Sequence, residues 1–280
     1  MTVPATLAEA AQHVLQTADA RDKAAASRQM AELWRSGAIT AIGTRPADLQ
    51  DRPARPTAPE LKAPTEMPKR RAANSVPGRM ALLHALAHIE LNAVDLSWDL
   101  LARFADMAVE NTGEEAQIRL PSAYFDDWVQ VADDEGKHFL MLSDRMADFE
   151  GAYGDLPAHD GLWQSALDTA SDITHRLAIV PLVLEARGLD VTPAMISGLT
   201  RAGDEQSASI LQVIHDDEIT HVATGHRWFV HVCRSLDLPA RETWQDLVTR
   251  LFKGHLKPPF NHTSRSAAGF DPDWYEPMSA

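Results

Sequence analysis

Residues 132–138 read ADDEGKH, and residues 215–221 repeat the pattern as HDDEITH. Each copy contains a Glu-x-x-His pair, Glu135 with His138 and Glu218 with His221. Both copies lie in stretches whose apolar spacing predicts long helices. Residues three apart on a helix are neighbours on one face, so each pair can offer a carboxylate oxygen and an imidazole nitrogen to one metal ion.

A lone glutamate stands in the predicted helix before each pair. Glu90 lies among apolar residues of the segment 82–94, and Glu185 lies near the end of the segment 177–186, whose other members are all apolar. Burying an unpaired carboxylate costs several kcal/mol, so each glutamate needs a partner of opposite charge. A metal ion is such a partner.

The order Glu, Glu-x-x-His, Glu, Glu-x-x-His over four helices is typical of a dinuclear carboxylate site in a helical bundle. Four carboxylates and two imidazoles suit two divalent first-row metals. We expect two iron ions, with manganese or a mixed pair as alternatives. A single Glu-x-x-His often arises by chance, and such pairs could instead be hydrogen-bonded at the surface.

Three further polar residues accompany the motifs. Asp134 and Asp217 lie four residues before the two motif histidines, and a metal-bound histidine usually donates its second N–H to a carboxylate. His215 precedes the second motif glutamate by three residues and is a third candidate neighbour of the metal ligands. His84 and His88 point away from the face of Glu90, so we interpret them as packing or hydrogen-bonding residues.

The helical signal dominates the chain, and strand signals are weak. We predict an all-α four-helix bundle with additions at both ends. The expected parts are residues 1–77 with an N-terminal helix and a Pro-rich strap (residues 37–77) packed on the bundle, residues 78–236 with the bundle, and residues 237–280 with a C-terminal helix and tail. The sequence is compatible with either a docked or a flexible strap. The predicted helices lie at about 78–110, 121–150, 161–187, 193–235 with a break near Gly203, and 240–253.

Proline and glycine mark the expected irregularities. Gly188 fits the end of one helix, and Thr192-Pro193 fits the start of the next. Pro181 should kink the helix that carries Glu185, because proline removes one backbone hydrogen bond. A kink beside a metal ligand could open a cavity, so we expect an organic substrate to approach near residues 177–184.

Composition restricts the classes of function. The 280 residues are 45% hydrophobic and 24% charged, as in a soluble globular protein, and no apolar stretch is long enough to span a membrane. The net charge of −14 disfavours nucleic acid as a partner. The single cysteine, Cys233, excludes a disulfide framework and a cysteine-bound cluster within this chain. With no basic region and apolar run at the N-terminus, we expect a cytoplasmic protein.

The motifs resemble those of the ferritin-like superfamily, and the chain more closely resembles the family known as domain of unknown function 455. The segments that carry the closer resemblance are residues 17–23 (TADARDK), 52–56 (RPARP), 85–91 (ALAHIEL), 184–190 (LEARGLD), 258–261 (PPFN) and 267–270 (AAGF). The resemblance implies a di-metal bundle and a metal role for the six residues Glu90, Glu135, His138, Glu185, Glu218 and His221. It implies no particular reaction.

Our leading hypothesis is an O₂-dependent di-iron oxidase or hydroxylase of a small organic substrate, supplied with electrons by an external donor. A second hypothesis is iron binding and oxidation without an organic substrate, which a hollow oligomer would favour. Hydroxylation of a tRNA base is weaker because the chain is acidic, and a non-catalytic helical scaffold is the remaining alternative. Association into a homo-oligomer is compatible with the sequence.

Overall fold

The computed structural model describes residues 3–67 and 75–279, and it is mostly helical, which confirms the all-α prediction. The α-helices of the described residues are α1 (Leu7–Gln16), α2 (Ala20–Arg35), α3 (Val76–Arg103), α4 (Ser122–Ala147), α5 (Gly161–Asp168), α6 (Ile173–Ile179), α7 (Ala186–Arg201), α8 (Glu205–Ser235), α9 (Ala240–Leu251), α10 (His262–Ala267) and α11 (Pro272–Tyr275). A π-helix, Val180–Glu185, joins α6 to α7, and short 3₁₀ turns span Pro64–Glu66, Ala105–Met107 and Glu276–Met278.

Strands contribute little to the described part of the chain. Two-residue strands β1 (Leu61–Lys62) and β2 (Ala158–His159) pair in parallel. No described helix combines the length and apolar character needed to cross a membrane.

The chain divides into two compact units, while the three-part division expected from sequence stays a prediction. The first unit comprises Met1–Glu114, Arg119–Trp163 and Arg201–Gly203, and the second comprises Glu115–Ile118, Gln164–Thr200 and Asp204–Ala280. Each unit contains one Glu-x-x-His pair and one lone glutamate.

The first unit is organised around α3 and α4. Met80, near the start of α3, lies against Gly151, just beyond the end of α4, so the two helices run antiparallel. Helix α1 packs on α3 and α2 packs on α4. The N-terminal helical segment expected from the sequence consists of two helices, α1 and α2, because Asp19 caps the start of α2 with its carboxylate.

Helix α2 is tied to its neighbours by buried polar contacts. The Trp98 indole N–H donates to Ser27 Oγ (2.7 Å), and the Ser27 hydroxyl donates to the Ala132 carbonyl (2.6 Å). Gly136, inside the first motif, permits this approach, since a Cβ there would lie 2.8 Å from the Ala24 carbonyl oxygen. The backbone of α2 therefore packs directly against the ligand-bearing turn of α4.

The described part of the strap is docked on the first unit. Ile39 and Ile42 are buried, and backbone N–H groups of α1 bond to carbonyls at Ala41 and Ile42. Further along, Arg55 donates to the Asn92 side chain on α3 (2.6 Å), and the Trp163 indole donates to the Asp51 carbonyl. The described strap is thus held by buried isoleucines and by hydrogen bonds, and its prolines disfavour a long helix there.

In the second unit, α6 and the π-helix pack against α8, and α9 packs on α6. The predicted helix boundary at Gly188 and Pro193 is wrong, because α7 runs without interruption from Ala186 to Arg201. Pro193 cannot donate to the Leu189 carbonyl, but the Asn261 side-chain amide donates to that oxygen instead (3.1 Å). The sequence signal failed because a distant residue supplies the missing hydrogen bond. The expected break near Gly203 is confirmed, as α7 ends at Arg201 and Asp204 caps α8.

The buried ion pair between Lys23 and Asp95 provides a test of this architecture. The Lys23 ammonium lies 2.5 Å from Asp95 Oδ1, and both side chains are 1% exposed. Asp95→Ala leaves the lysine charge buried without its partner, so we expect a loss of about 3–5 kcal/mol in the free energy of unfolding. The double variant Lys23→Met/Asp95→Leu should recover most of this loss in a urea titration.

Arg21→Met is the matched control. Arg21 lies on α2, as Lys23 does, and the variant breaks its exposed ion pair with Asp144 on α4. It should cost less than about 1 kcal/mol. Equal losses for Asp95→Ala and Arg21→Met would show that the buried pair has no special role in stability.

Candidate metal centre

The first unit brings three predicted ligands together. Glu90 on α3 and Glu135 and His138 on α4 each offer a ligand atom within 4.8 Å of the others. His138 Nδ1 lies 3.1 Å from Glu90 Oε2 and 3.6 Å from Glu135 Oε2. Glu135 and His138 are fully buried and Glu90 is 3% exposed. These residues, here called the first triad, form a buried group that could bind a metal ion.

Charge repulsion and burial both act on the first triad. Loss of hydration raises the pKa of Glu90 well above its ordinary value, and the nearby Glu135 carboxylate raises this pKa further. His138 opposes the shift but does not cancel it. Without a cation, Glu90 therefore tends to hold a proton, whereas a divalent ion would favour its ionised form.

The two aspartates of the first motif make contacts outside the triad. The Asp133 carboxylate pairs with Arg28 and Arg35 on α2. The Asp134 carboxylate accepts hydrogen bonds from Gln130 (2.9 Å) and Lys137 (2.8 Å) on its own helix. The proposed contact of Asp134 with a ligating histidine stays a prediction, as does that of Asp217.

The second unit carries the remaining ligands, Glu185, Glu218 and His221, here called the second triad. His221 is 1% exposed, and its Nδ1 lies 3.7 Å from Glu218 Oε1. In both motifs the same ring nitrogen thus faces a carboxylate. Glu218 Oε2 is buried, and among the described residues none gives it a hydrogen bond. A carboxylate oxygen in that state fits a role as a metal ligand.

Glu185 is the last residue of the π-helix, which packs against α8. The kink expected at Pro181 stays a prediction; the structure has a π-helix at this place, and such segments are frequent at functional sites. Gly225 on α8 allows close packing here, because a Cβ at this position would overlap the Pro181 ring. Glu185 is partly exposed, although its Oε2 atom is buried. The apolar residues around Glu185 in the sequence predicted a fully buried side chain, and Glu185 is less buried than that.

His215 lies one turn before Glu218 and is 7% exposed. Its Nε2 contacts Ser264 Oγ at 3.2 Å, while its Nδ1 is buried and has no hydrogen-bond partner among the described residues. The predicted neighbour role of His215 stays a prediction. Its link to Ser264 on α10 was not foreseen from the sequence.

His88 lies two residues before Glu90 in the chain. It makes hydrogen bonds of the kind expected for it from the sequence. Its Nδ1 contacts the Tyr153 hydroxyl (2.8 Å), and its Nε2 contacts the His159 carbonyl (3.0 Å). Burial lowers the pKa of His88 to about 4, so the ring is neutral at pH 7. Asn92 joins this group to Arg55 of the strap, a connection between distant segments for which the sequence carries no local signal.

The predicted approach for a substrate near residues 177–184 stays a prediction. Leu177, Leu182 and Val183 are at most 4% exposed, whereas Leu184 is half-buried. Apolar side chains are also partly accessible on α3, where Ile89 is 38% exposed and Leu82 and Leu86 are half-buried on the same face. This face borders Glu90.

Comparison with known proteins identifies relatives but no activity. Residues 16–276 match the family described as "Protein of unknown function (DUF455)". The chain is similar to an uncharacterized protein of Haemophilus influenzae, with 39% identity over 226 residues that cover 78% of this chain and 75% of that protein. No solved structure matches the chain.

The raised pKa of Glu90 predicts an unusual pH dependence for the metal-free protein. A carboxyl whose folded pKa exceeds its unfolded value stabilises the fold below the unfolded pKa, here about 4.5, and this stabilisation is lost as the pH rises through the folded pKa. The free energy of unfolding should therefore fall between pH 5 and pH 8. Glu90→Gln should weaken this dependence and, at pH 8, exceed the wild type in stability by about 1 kcal/mol or more.

Urea titrations of metal-free protein at the two pH values measure this effect. Glu32→Gln on the exposed side of α2 is the control and should behave as the wild type. A Glu90→Gln variant that is less stable than the wild type at pH 8 would contradict the assignment of Glu90 as a destabilising buried acid.

Proposed function

The chain belongs to the DUF455 family, and on that premise we propose that it is a dinuclear metal protein whose six ligands are those of the first and second triads. The family description names no reaction, so the proposal depends on the side chains. We further propose that these triads belong to a ferritin-like bundle, in which each lone glutamate completes one Glu-x-x-His pair.

The burial of the first triad carries the proposal. Two carboxylates and one imidazole lie together with at most 3% exposure, an arrangement that is costly for any set of like charges. The Lys23–Asp95 pair shows how the same unit treats another buried carboxylate, by giving it a cation. A metal ion would provide the equivalent cation for Glu90 and Glu135.

The second triad supports a second ion. It has the same composition and the same Glu-x-x-His spacing as the first triad. In both triads the histidine Nδ1 faces the carboxylate of the motif glutamate. The buried Oε2 of Glu218 is an available acceptor. Carboxylate and imidazole donors in this ratio favour iron or manganese over zinc or copper, which take more nitrogen or sulfur ligands.

The proposed activity is an O₂-dependent oxidation or hydroxylation of a small organic molecule. A bound iron pair would supply the capacity to reduce O₂, and electrons would come from a separate donor. The protein would hold the metals with buried ligands, exclude water around the first triad, and offer an organic substrate the partly exposed apolar face of α3 at Leu82, Leu86 and Ile89.

Metal analysis tests the proposal directly. Protein loaded anaerobically with Fe(II) and then desalted should retain about two ions per chain, as in other carboxylate-bridged bundles. Glu135→Ala and Glu218→Ala should each reduce this content to about one ion or less, because each removes a ligand. The exposed variants Glu32→Ala and Glu242→Ala are controls in the two units and should retain the wild-type content.

Retention of less than about a tenth of an ion per wild-type chain would reject the metal centre. If iron binds, O₂ uptake with and without an artificial electron donor distinguishes the two redox alternatives. Repeated turnover that depends on the donor supports an oxidase or hydroxylase. A single uptake event without further turnover, together with a large hollow particle in light scattering, would support iron oxidation and storage instead.

A further inference from the structure

The residues Asn261, Ser264 and Arg265, here called the C-terminal clasp, contact α7, which directly follows Glu185, and α8, which carries Glu218 and His221. We propose that the clasp positions Glu185 relative to Glu218 and His221, and so controls binding of a metal ion by the second triad. This inference rests on the proposed function. It assigns a role in the metal centre to a segment that contributes no ligand.

Arg265 holds the start of α7, immediately after Glu185. Its guanidinium forms a fork with Asp190, with Nε to Oδ1 and Nη2 to Oδ2 both at 2.8 Å, and Nη2 also donates to the Ala186 carbonyl at 3.2 Å. The two side chains are 3% and 0% exposed. A bidentate ion pair that is shielded from water fixes both the distance and the relative orientation of Arg265 and Asp190. The first turn of α7 is therefore held in one position.

Aromatic rings hold Arg265 in place. Its guanidinium lies over the rings of Phe260, Phe270 and Tyr275, 4.4–5.5 Å from their centres. Because these rings come from residues on both sides of the clasp, the arginine has little freedom to move away from Asp190.

Asn261 supplies a hydrogen bond that the backbone of α7 lacks. Its side-chain amide donates to the Leu189 carbonyl, which Pro193 leaves without a helical donor, and its backbone N–H donates to Asp190 Oδ1 (2.9 Å). Its own Oδ1 accepts from the Ser264 N–H and so caps α10. Asn261 thus connects the turn of α7 before Pro193 with the start of α10, the helix that carries Ser264 and Arg265.

Ser264 contacts α8, the helix that carries Glu218 and His221. Its hydroxyl lies 3.2 Å from His215 Nε2 on α8, one turn before Glu218. Neighbouring residues of one short helix therefore bind α7, which begins directly after Glu185, and α8, the helix of Glu218 and His221. A rigid link of this kind determines the separation of ligands that lie about 30 residues apart in the chain.

The position of Glu185 makes such a link necessary. Glu185 ends a π-helix, whose wider turn is less regular than an α-helix, and Pro181 removes a further backbone donor there. Ligands held by a less stable element need support from surrounding residues to keep their coordination geometry. Arg265 and Asn261 provide that support on the residues that directly follow Glu185.

The expected effect is selective for one metal ion. Loss of residues that orient metal ligands typically weakens metal binding by about 10- to 100-fold. Ser264→Ala and Arg265→Met should therefore weaken binding of one Fe(II) or Mn(II) ion per chain by that factor and leave the other unchanged. Ser264→Thr retains the hydroxyl and should restore binding, whereas Arg241→Met breaks an exposed ion pair of the same C-terminal region and serves as the control.

Anaerobic titration with Fe(II) measures the two binding steps, and hydrogen–deuterium exchange of the metal-free protein provides a readout that needs no metal. In Ser264→Ala and Arg265→Met, amides of residues 180–190 should exchange at least about tenfold faster, while those of α3 and α4 stay unchanged. Ser264→Ala removes only a hydroxyl, so it keeps the test valid if Arg265→Met does not fold.

Unchanged exchange at residues 180–190 in both variants would overturn the clasp, as would equal weakening of both metal ions or faster exchange throughout both units. Failure of the wild type to bind any metal would reject the proposed function. In that case, faster exchange confined to residues 180–190 would still support the clasp as the element that positions Glu185.

Discussion

Buried carboxylates are the constraint on which this structure depends. Glu90 and Glu135 lie in a nearly dry interior beside His138, and neither burial nor their mutual repulsion favours the ionised state. A chain can accept such a group only if a proton or a cation compensates the charge. The Lys23–Asp95 pair solves the same problem with an ammonium group in the same unit. A metal ion bound by the first triad would compensate its carboxylates in the same way.

Both units hold their ligand helices with buried polar contacts rather than with apolar packing alone. In the first unit, the Ser27 hydroxyl and Gly136 bring α2 onto the turn that carries Glu135 and His138. In the second, Asn261 and Arg265 bind α7 directly after Glu185. Hydrogen bonds are directional, so they restrict the position of a ligand more tightly than contacts between methyl groups. Helices that precede and follow the ligand-bearing segments thus take part in building the candidate centre.

Most of the helices could be predicted from the sequence, and the errors are informative. The predicted single helix at 161–187 is wrong, because α5 ends at Asp168 and Asp172 caps a separate α6. The predicted ranges at 78–110 and 121–150 correspond to α3 and α4, because their apolar spacing is regular and no proline interrupts them. The predicted boundary at Gly188 and Pro193 failed because those residues normally end a helix, yet Asn261 supplies the hydrogen bond that Pro193 cannot. Apolar character likewise shows that a residue can be buried but not whether other residues cover it: Leu177 is fully buried, whereas Ile89 is 38% exposed.

The sequence by itself determined the helical class, the two Glu-x-x-His pairs and the lone glutamates Glu90 and Glu185, because these depend on spacing along a single helix. Only the tertiary structure decided that Glu90 meets the Glu135–His138 pair, that Glu185 ends a π-helix, and that the strap is docked through Arg55. It also decided the contact of Ser264 with α8 and that of Arg265 with the start of α7. Such contacts join residues tens of positions apart, and their energies depend on burial and geometry that no local pattern of residues contains.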